Sequence, residues 1–401
     1  MFYGWIIVAG AFLSQFFMTG FLTYSFGLLV VPIQTEFGAS RAELMYGMTG
    51  STICGLFFAP VLGALVDRWS VRALMSIGAI VFASGLMLLS ISHNAYQFAV
   101  VFAVSMSIGS LLLGPLTCST VVSRWFTASR GKALGIAAIG TSIGGMVVPS
   151  AFEYWISSAG WRDSLQNAAL CTLVVVLPFI LLFMRGHPQD KGLLPEVSNE
   201  NMNASAQTVG KDWGTKDILR SSSFWLIGFS IGLLFMAYAA VLSNLPAYAA
   251  GLGVTDAQAS RLIMLVAIFG LIGKLIFGFA ADKVSLRLGL WAALGLAGTA
   301  IAILSAEPVY LWIALAAIML GLAAGGMLPV WGAMLAAVFG TLSYGRVMGL
   351  MSPLISILVM PGFLIAATVF DKYGSYSASL VLFAGLLLVS SCLLVPLKIP
   401  K

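Results

Sequence analysis

Charge is what this sequence has least of. Only 8% of its 401 residues are charged, whereas 60% are hydrophobic and the mean hydropathy is +1.02. A soluble globule carries about a quarter or more of its surface as charged residues, so this chain is not one. Cysteine is also scarce. Cys54, Cys118, Cys171 and Cys392 all fall in apolar runs with no C-x-x-C spacing, which argues against a disulfide framework or a zinc site and leaves packing as their expected role. The two histidines, His93 and His187, lie in loops too far apart to pair. An intramembrane enzyme needs such a pair or a carboxylate dyad, and neither is found. No G-x-x-x-x-G-K-[ST] loop occurs, so ATP is not the energy source. Neither a metal nor a cofactor is expected.

What the sequence has in abundance is long apolar runs. Twelve are legible, at roughly 4 to 31, 44 to 66, 73 to 91, 96 to 122, 133 to 153, 164 to 184, 223 to 249, 260 to 281, 288 to 305, 309 to 335, 347 to 369 and 377 to 396. A bilayer core of ~30 Å takes about 20 apolar residues per helix. A barrel would show short alternating strands instead, so helices remain. The expected class is an all-α integral membrane protein of twelve spans in two six-helix bundles. Its expected domains are residues 1–184, a cytoplasmic linker at 185–222 rich in Asn, Ser, Asp and Lys, and residues 223–401. The first run is too long for a signal-peptide core and no A-x-A site follows it.

Cations give the orientation, because Lys and Arg near span ends stay on the cytoplasmic side. With both termini inside, fifteen of the twenty fall on inner loops and the C-terminal tail, among them Arg124, Lys132, Arg185, Lys211, Lys398 and Lys401. Arg41, Arg162, Arg261 and Lys372 fall outside. The net charge of +6 is therefore mostly a topology signal. No basic domain remains to hold nucleic acid, and the expected partners are the lipid bilayer and a small solute. A multi-pass protein of the inner or plasma membrane is expected, as a monomer. The sequon at Asn203 falls in the cytoplasmic linker and carries no expected function.

The sequence also repeats itself. Gly63 to Arg72, GALVDRWSVR, returns as Gly278 to Arg287, GFAADKVSLR, with Gly63/Gly278, Asp67/Asp282, Arg68/Lys283 and Arg72/Arg287 at equal offsets. A second match aligns Trp125-Phe126 and Arg130-Gly131-Lys132 with Val338-Phe339 and Tyr344-Gly345-Arg346. Such repeats mark a duplicated unit.

The pattern G-x-L-x-D-R-x-x-x-R after the second span, with its weaker copy after the eighth, resembles the signature of the major facilitator superfamily. The likeness covers the whole chain. It implies two bundles around a central cavity that opens alternately to either side. The run W-F-x-x-x-R-G-x-A-x-G-x-A-x-x-G-x-x-x-G from Trp125 to Gly144 resembles the monocarboxylate and oxalate/formate porter group. Phe2-Tyr3-Gly4-Trp5 and Ala159-Gly160-Trp161-Arg162 are similar to its bacterial members. Drug/proton antiporters of the superfamily carry Gly-Pro before a Gly-Gly pair in the fifth span. Here Thr141 follows Gly140, before Gly144-Gly145.

Two readings compete for the repeated loop. Asp67 is placed to accept charge-assisted hydrogen bonds from an arginine of the following loop or from Arg130, forming an inner latch with Gly63, Arg68, Arg72, Gly278, Asp282, Lys283 and Arg287. Alternatively the arginines are topological anchors. Recurrence of the acid, which the cation rule does not require, favours the latch.

Lys274 is the sharpest chemical feature. A mid-span lysine costs about 2.5–3.5 kcal/mol on insertion scales, and such residues usually face a cavity and bind something. It precedes Asp282 by eight residues, about 12 Å of helix, which puts it near the midplane. No Asp or Glu lies mid-span, which points to the substrate as its counter-ion. The alternative is a snorkelling or neutral lysine that packs. Porters of the resembled group carry a cation, often Arg, at this place. A lysine grips a carboxylate as a point charge and not as a fork. The helix 1 lysine of eukaryotic monocarboxylate carriers is replaced by Thr23, and the Asp one turn before the helix 8 cation by Gly270. No helix 11 lysine stands where oxalate exchangers have a second one. One cation suits one carboxylate.

In this superfamily helices 1, 4, 7 and 10 border the cavity, which makes Gln15, Thr23, Tyr24, Thr117, Tyr238, Asn244 and Trp331 candidate lining residues, with Thr141 on helix 5. Tyr24 and Asn244 are the preferred pair to orient a substrate on Lys274. Each is equally open to a helix-packing role. The expected function is secondary transport of a small organic anion, a monocarboxylate above others, by proton symport or anion exchange. Efflux of amphiphiles past a methionine-rich wall (Met18, Met236, Met327, Met334, Met348, Met351) is the alternative. A non-transporting sensor is the remote one.

Overall fold

A computed structural model of the chain describes residues 2–39, 41–194, 196 and 212–397. The sequon at Asn203 and the cations Lys211, Lys398 and Lys401 lie outside these residues, as do residues 195 and 197–211 of the expected linker. Sixteen α-helices account for nearly all of what is described. In chain order they are α1 (Gly4–Thr19), α2 (Phe26–Phe37), α3 (Arg41–Arg68), α4 (Val71–Ser90), α5 (Ala95–Val101), α6 (Ser107–Leu113), α7 (Pro115–Trp125), α8 (Arg130–Cys171) and α9 (Leu177–Phe183). They continue with α10 (Thr215–Arg220), α11 (Ser222–Gly251), α12 (Asp256–Ala281), α13 (Leu286–Ser305), α14 (Tyr310–Phe339), α15 (Tyr344–Tyr373) and α16 (Ser377–Leu393).

Ten helical stretches among the described residues are long and apolar enough to cross a membrane. The longest, Arg130–Phe183, holds two spans, and α16 is a further apolar helix, which accounts for twelve. The fifth and sixth spans, expected as separate segments, are two helices within the range of α8 that part at Gly160, whose φ of +87° is not helical. Only glycine adopts that conformation without strain. The first span bends through a π-helical turn at Gly20–Tyr24. The fourth turns π-helical at Phe102–Met106 and breaks at the extended Gly114, where Pro115 begins α7 without losing a needed N–H. The chain is a multi-pass, all-α membrane protein.

The described residues divide into two compact units. One comprises residues 1–128, 136–212 and 341–353, and the other 129–135, 213–340 and 354–401. Within the first, Gly140 and Gly144 of α8 stand where a Cβ would strike the carbonyls of Phe12 and Phe16 on α1. Their i, i+4 spacing is that of close helix packing in membranes. In the second unit Gly273 and Gly325 let α12 and α14 meet backbone to backbone. There α11 and α16 are tied reciprocally: the Ser230 hydroxyl donates to the Ser390 carbonyl at 3.1 Å, and the Ser390 hydroxyl to the Ser230 carbonyl at 2.9 Å.

The repeated decapeptide folds the same way twice. Ser70 and Ser285, each three residues after the repeated aspartate, accept the backbone N–H of Ala73 and Leu288 and so cap the starts of α4 and α13. This conserved offset of acid and cap turns the chain from one span into the next.

Candidate functional site

Asp67 closes α3, where its carboxylate is almost fully buried, with 2% of the side chain exposed. A charge so placed persists only if every lone pair is used. Arg124 Nη2, on a side chain 4% exposed, reaches Asp67 Oδ1 at 3.2 Å and the Val66 carbonyl at 2.9 Å. Two main-chain donors at the start of α15 complete the shell: the Gly345 N–H gives to Oδ1 at 2.9 Å, and the Arg346 N–H to Oδ2 at 2.7 Å. These are orphan donors of a helix N-terminus, which attracts negative charge. Glycine is required at 345, because a Cβ there would stand 2.7 Å from the Gly63 carbonyl and 2.9 Å from Asp67 Oδ1. Gly63 reciprocates, since a Cβ on it would collide with the Gly345 carbonyl.

Asp282, the second aspartate of the repeat, does the same at the start of α8. It accepts the Gly131 N–H at 2.5 Å and the Lys132 N–H at 2.8 Å. Gly278 and Gly131 make the approach possible, because a Cβ on Gly278 would lie 2.9 Å from the Gly131 carbonyl. The Lys132 ammonium sits 5.2 Å from the centre of the Phe279 ring, within cation–π range. Arg287 donates to the Leu397 carbonyl and lies over the Trp291 ring. Lys283, Arg68 and Arg72 are exposed. Asp67 thus takes Arg124 and the start of α15 in place of the loop arginine or Arg130, while Arg130 opens the helix that Asp282 caps. Arg124 is the functional side chain that sequence reasoning missed. Its signal was a lone cation in the last turn of an apolar run, directly before Trp125-Phe126.

Lys274 is half-buried on α12. Its backbone is clasped from two directions: a Cβ on Gly135 would stand 2.6 Å from its carbonyl oxygen, and one on Gly325 2.5 Å from its nitrogen. Glycines at both places let the neighbouring helices pack closely against that stretch. In the same unit Asn244 Nδ2 donates to the Ala240 carbonyl at 2.8 Å, and its Oδ1 accepts the Tyr376 hydroxyl at 3.3 Å. The space that Asn244 borders with Tyr248 and Tyr376 has a volume of about 10 Å³, enough for about one water molecule. Trp331 is buried edge-on to Phe235, and Tyr238 is half-buried on α11.

The other unit supplies the remaining candidates. Thr23 and Tyr24 are exposed in the π turn, where the Tyr24 ring covers Gly145. Gln15 is buried, with Nε2 donating to the Ala11 and Ala137 carbonyls at 3.3 and 3.1 Å, and its Oε1 finds no partner among the described residues. Thr117 and Thr141 donate to the carbonyls of Leu111 and Ala138. The Ala159–Arg162 motif has a mechanical role. After the Gly160 break, Trp161 Nε1 and Arg162 Nη2 each donate to the Glu36 carboxylate at 2.6 Å, and Arg162 Nη2 also reaches the Ser92 carbonyl at 2.8 Å.

The family profile of the Major Facilitator Superfamily matches residues 11–352 and, in a second match, 229–401. Rat monocarboxylate transporter 13 is 24% identical over 405 residues, 98% of this chain and 89% of that protein. The probable transporter MCH2 of Saccharomyces cerevisiae is 24% identical over 283 residues, and the matched stretch spans 57% of its length. Among solved structures, the proton:xylose symporter XylE has a TM-score of 0.74 at 14% identity, covering 97% of this chain and 94% of its own. The human organic anion transporter MFSD10 has a TM-score of 0.71 at 20% identity, covering 98% of each chain. At such identities the likeness is one of fold.

Proposed function

The chain belongs to the Major Facilitator Superfamily, a family of small-molecule transporters and not enzymes, and on that premise we propose that it is a secondary active transporter of a small organic anion, a monocarboxylate above others. Lys274 carries the proposal. A lysine within a membrane span is costly in a bilayer and such residues usually face a cavity and bind something, and glycines at 135 and 325 let neighbouring helices pack closely against its backbone. A bound carboxylate neutralises the charge, so the loaded carrier crosses the occluded state more readily than the empty one. Tyr24, Thr23, Thr141, Gln15, Thr117, Asn244, Tyr238 and Trp331 are the proposed orienting groups. Coupling is to a proton or to a second anion.

The twin carboxylate caps are the proposed latch of the alternating-access cycle. Asp67 and Asp282 each hold a helix start through two main-chain N–H groups, so release of both frees α15 and α8 together. Gly63, Gly278, Arg68, Arg72, Arg130, Lys283 and Arg287 complete the latch region. A monomer in the inner or plasma membrane is proposed, and the cation distribution supports an orientation with both termini and the latch on the cytoplasmic side.

Ligand-dependent melting of the purified protein tests the substrate class, because a ligand that binds the native state raises the melting temperature by mass action. Small monocarboxylates are expected to raise it, while neutral metabolites and cationic dyes leave it unmoved. Stabilisation by the dyes alone would contradict the carboxylate reading and point to an amphiphile as the bound solute.

A further inference from the structure

The Asp67 side of the molecule holds a second feature, a cavity beside the proposed latch. A cavity of about 420 Å³ opens where α3 passes into α4, bordered by Arg68, Trp69, Arg72, Arg185, His187 and Asp190. None of the three bordering guanidinium groups forms an ion pair among the described residues. Beside them lies the buried Arg124, whose Nε and Nη1 find no hydrogen-bond partner among those residues. Asp67 is already committed to Arg124 and two main-chain donors, and Asp190 accepts the His187 N–H at 3.0 Å. Four arginines thus stand against two engaged aspartates. The N-terminus of the 20-residue α4 enters the same space, since Ser70 and Val71 also border it.

Each observation favours the same occupant. Several guanidinium groups around one cavity suit an acceptor with three or more oxygens and more than one negative charge. The amino end of a long helix suits the same group. We infer that this cavity is a binding site for a phosphate group, distinct from the carboxylate site at Lys274 and from the carboxylate cap of Asp67. Its place at the end of a membrane span, beside the exposed Trp69, lets the phosphate be carried by a lipid headgroup or by a soluble anion. His187 reports on it. Burial and the neighbouring Arg124 hold its imidazole below the ordinary histidine value, opposed by Asp190, and an added anion pushes it back up. Arg68, Arg72, Arg185 and Asp67 are the other charged groups around it.

The test is a titration of the full-length protein in neutral detergent with inorganic phosphate, against chloride at matched ionic strength. Heat of binding and the two histidine resonances are followed together. Saturable binding is expected, with the His187 titration moving to higher pH and that of His93, which does not border the cavity, unmoved. Arg72→Gln with Arg185→Gln should weaken binding about tenfold or more, as loss of two charge-assisted contacts requires. Arg72→Lys with Arg185→Lys keeps the charge, guards against misfolding, and should weaken it several-fold. Nanodiscs of phosphatidylcholine with or without phosphatidylglycerol separate the two sources. If the anionic lipid blocks phosphate binding, the site holds a headgroup; if binding is equal in both, it holds a soluble anion. No saturable binding, a silent His187, or unchanged affinity in both folded double variants would overturn the proposal.

Discussion

The backbone N–H of Arg346 donates to Asp67 Oδ2 at 2.7 Å, bridging 279 positions of sequence. The Lys132 N–H does the same for Asp282 at 2.8 Å across 150 positions. The two internal repeats are therefore complementary parts: the decapeptide supplies an acid, and the Arg130/Tyr344 match supplies the helix start that the acid holds. Four backbone donors and two carboxylates form one device built twice.

The copies differ in Arg124, which touches Asp67 and whose counterpart in the second match is Ala337. Asp67→Asn leaves a buried guanidinium without its anion, a change that costs about 3–5 kcal/mol when a buried pair is broken from one side. Asp282→Asn weakens hydrogen bonds to neutral amides, at about 1–3 kcal/mol. Thermal unfolding in detergent should place the Asp67 variant below the Asp282 variant. Equal losses would mean that the Arg124 contact adds nothing.

Gly345→Ala introduces a methyl group against both the Gly63 carbonyl and the carboxylate it serves. Overpacking of this kind costs about 1–3 kcal/mol, and here it falls on the latched state. The expected outcome is a lower melting temperature together with greater accessibility of the Gly345 amide to hydrogen exchange. Gly27→Ala, at a position where a Cβ meets nothing within 4 Å, should show neither.

Glu307 lies in the loop between α13 and α14 with a φ of +49°, a conformation that a non-glycine residue holds only with support. Its Oε1 accepts the hydroxyls of Ser375 at 2.6 Å and Ser377 at 2.8 Å, which hold the carboxyl below the ordinary value of 4.5. In acid the unfolded chain takes up this proton first. The contribution of Glu307 is therefore complete above pH 4.5 and is lost as pH falls through the depressed folded value. Melting temperatures between pH 7 and pH 3 should fall less steeply below 4.5 in Ser375→Ala with Ser377→Ala than in the unaltered protein.

Twelve spans were legible because apolar runs of bilayer length leave little choice of structure. The breaks inside them were not. Nothing in the local pattern distinguishes Gly114, where the fourth span breaks, or Gly20, where the first turns π-helical, from Gly140 or Gly144, which serve close packing. The repeated acids were visible, but their partners were not, because two of the three groups on Asp67 are main-chain amides, which every residue but proline possesses. Ser70 and Ser285 were overlooked for a simpler reason. Three charged matches of the decapeptide drew attention, and the matching serine, a plain helix cap, carries no charge. Trp161 and Arg162 carried a family resemblance whose mechanical content, the grip on Glu36, needed coordinates.

Uptake of a labelled small monocarboxylate into proteoliposomes, compared between the unaltered protein, Lys274→Ala and Lys274→Arg, tests the central claim most directly. The account predicts that Lys274→Ala abolishes uptake while leaving the melting temperature close to that of the unaltered protein, and that Lys274→Arg retains a measurable fraction with altered affinity. Carboxylate uptake by Lys274→Ala equal to that of the unaltered protein would contradict it.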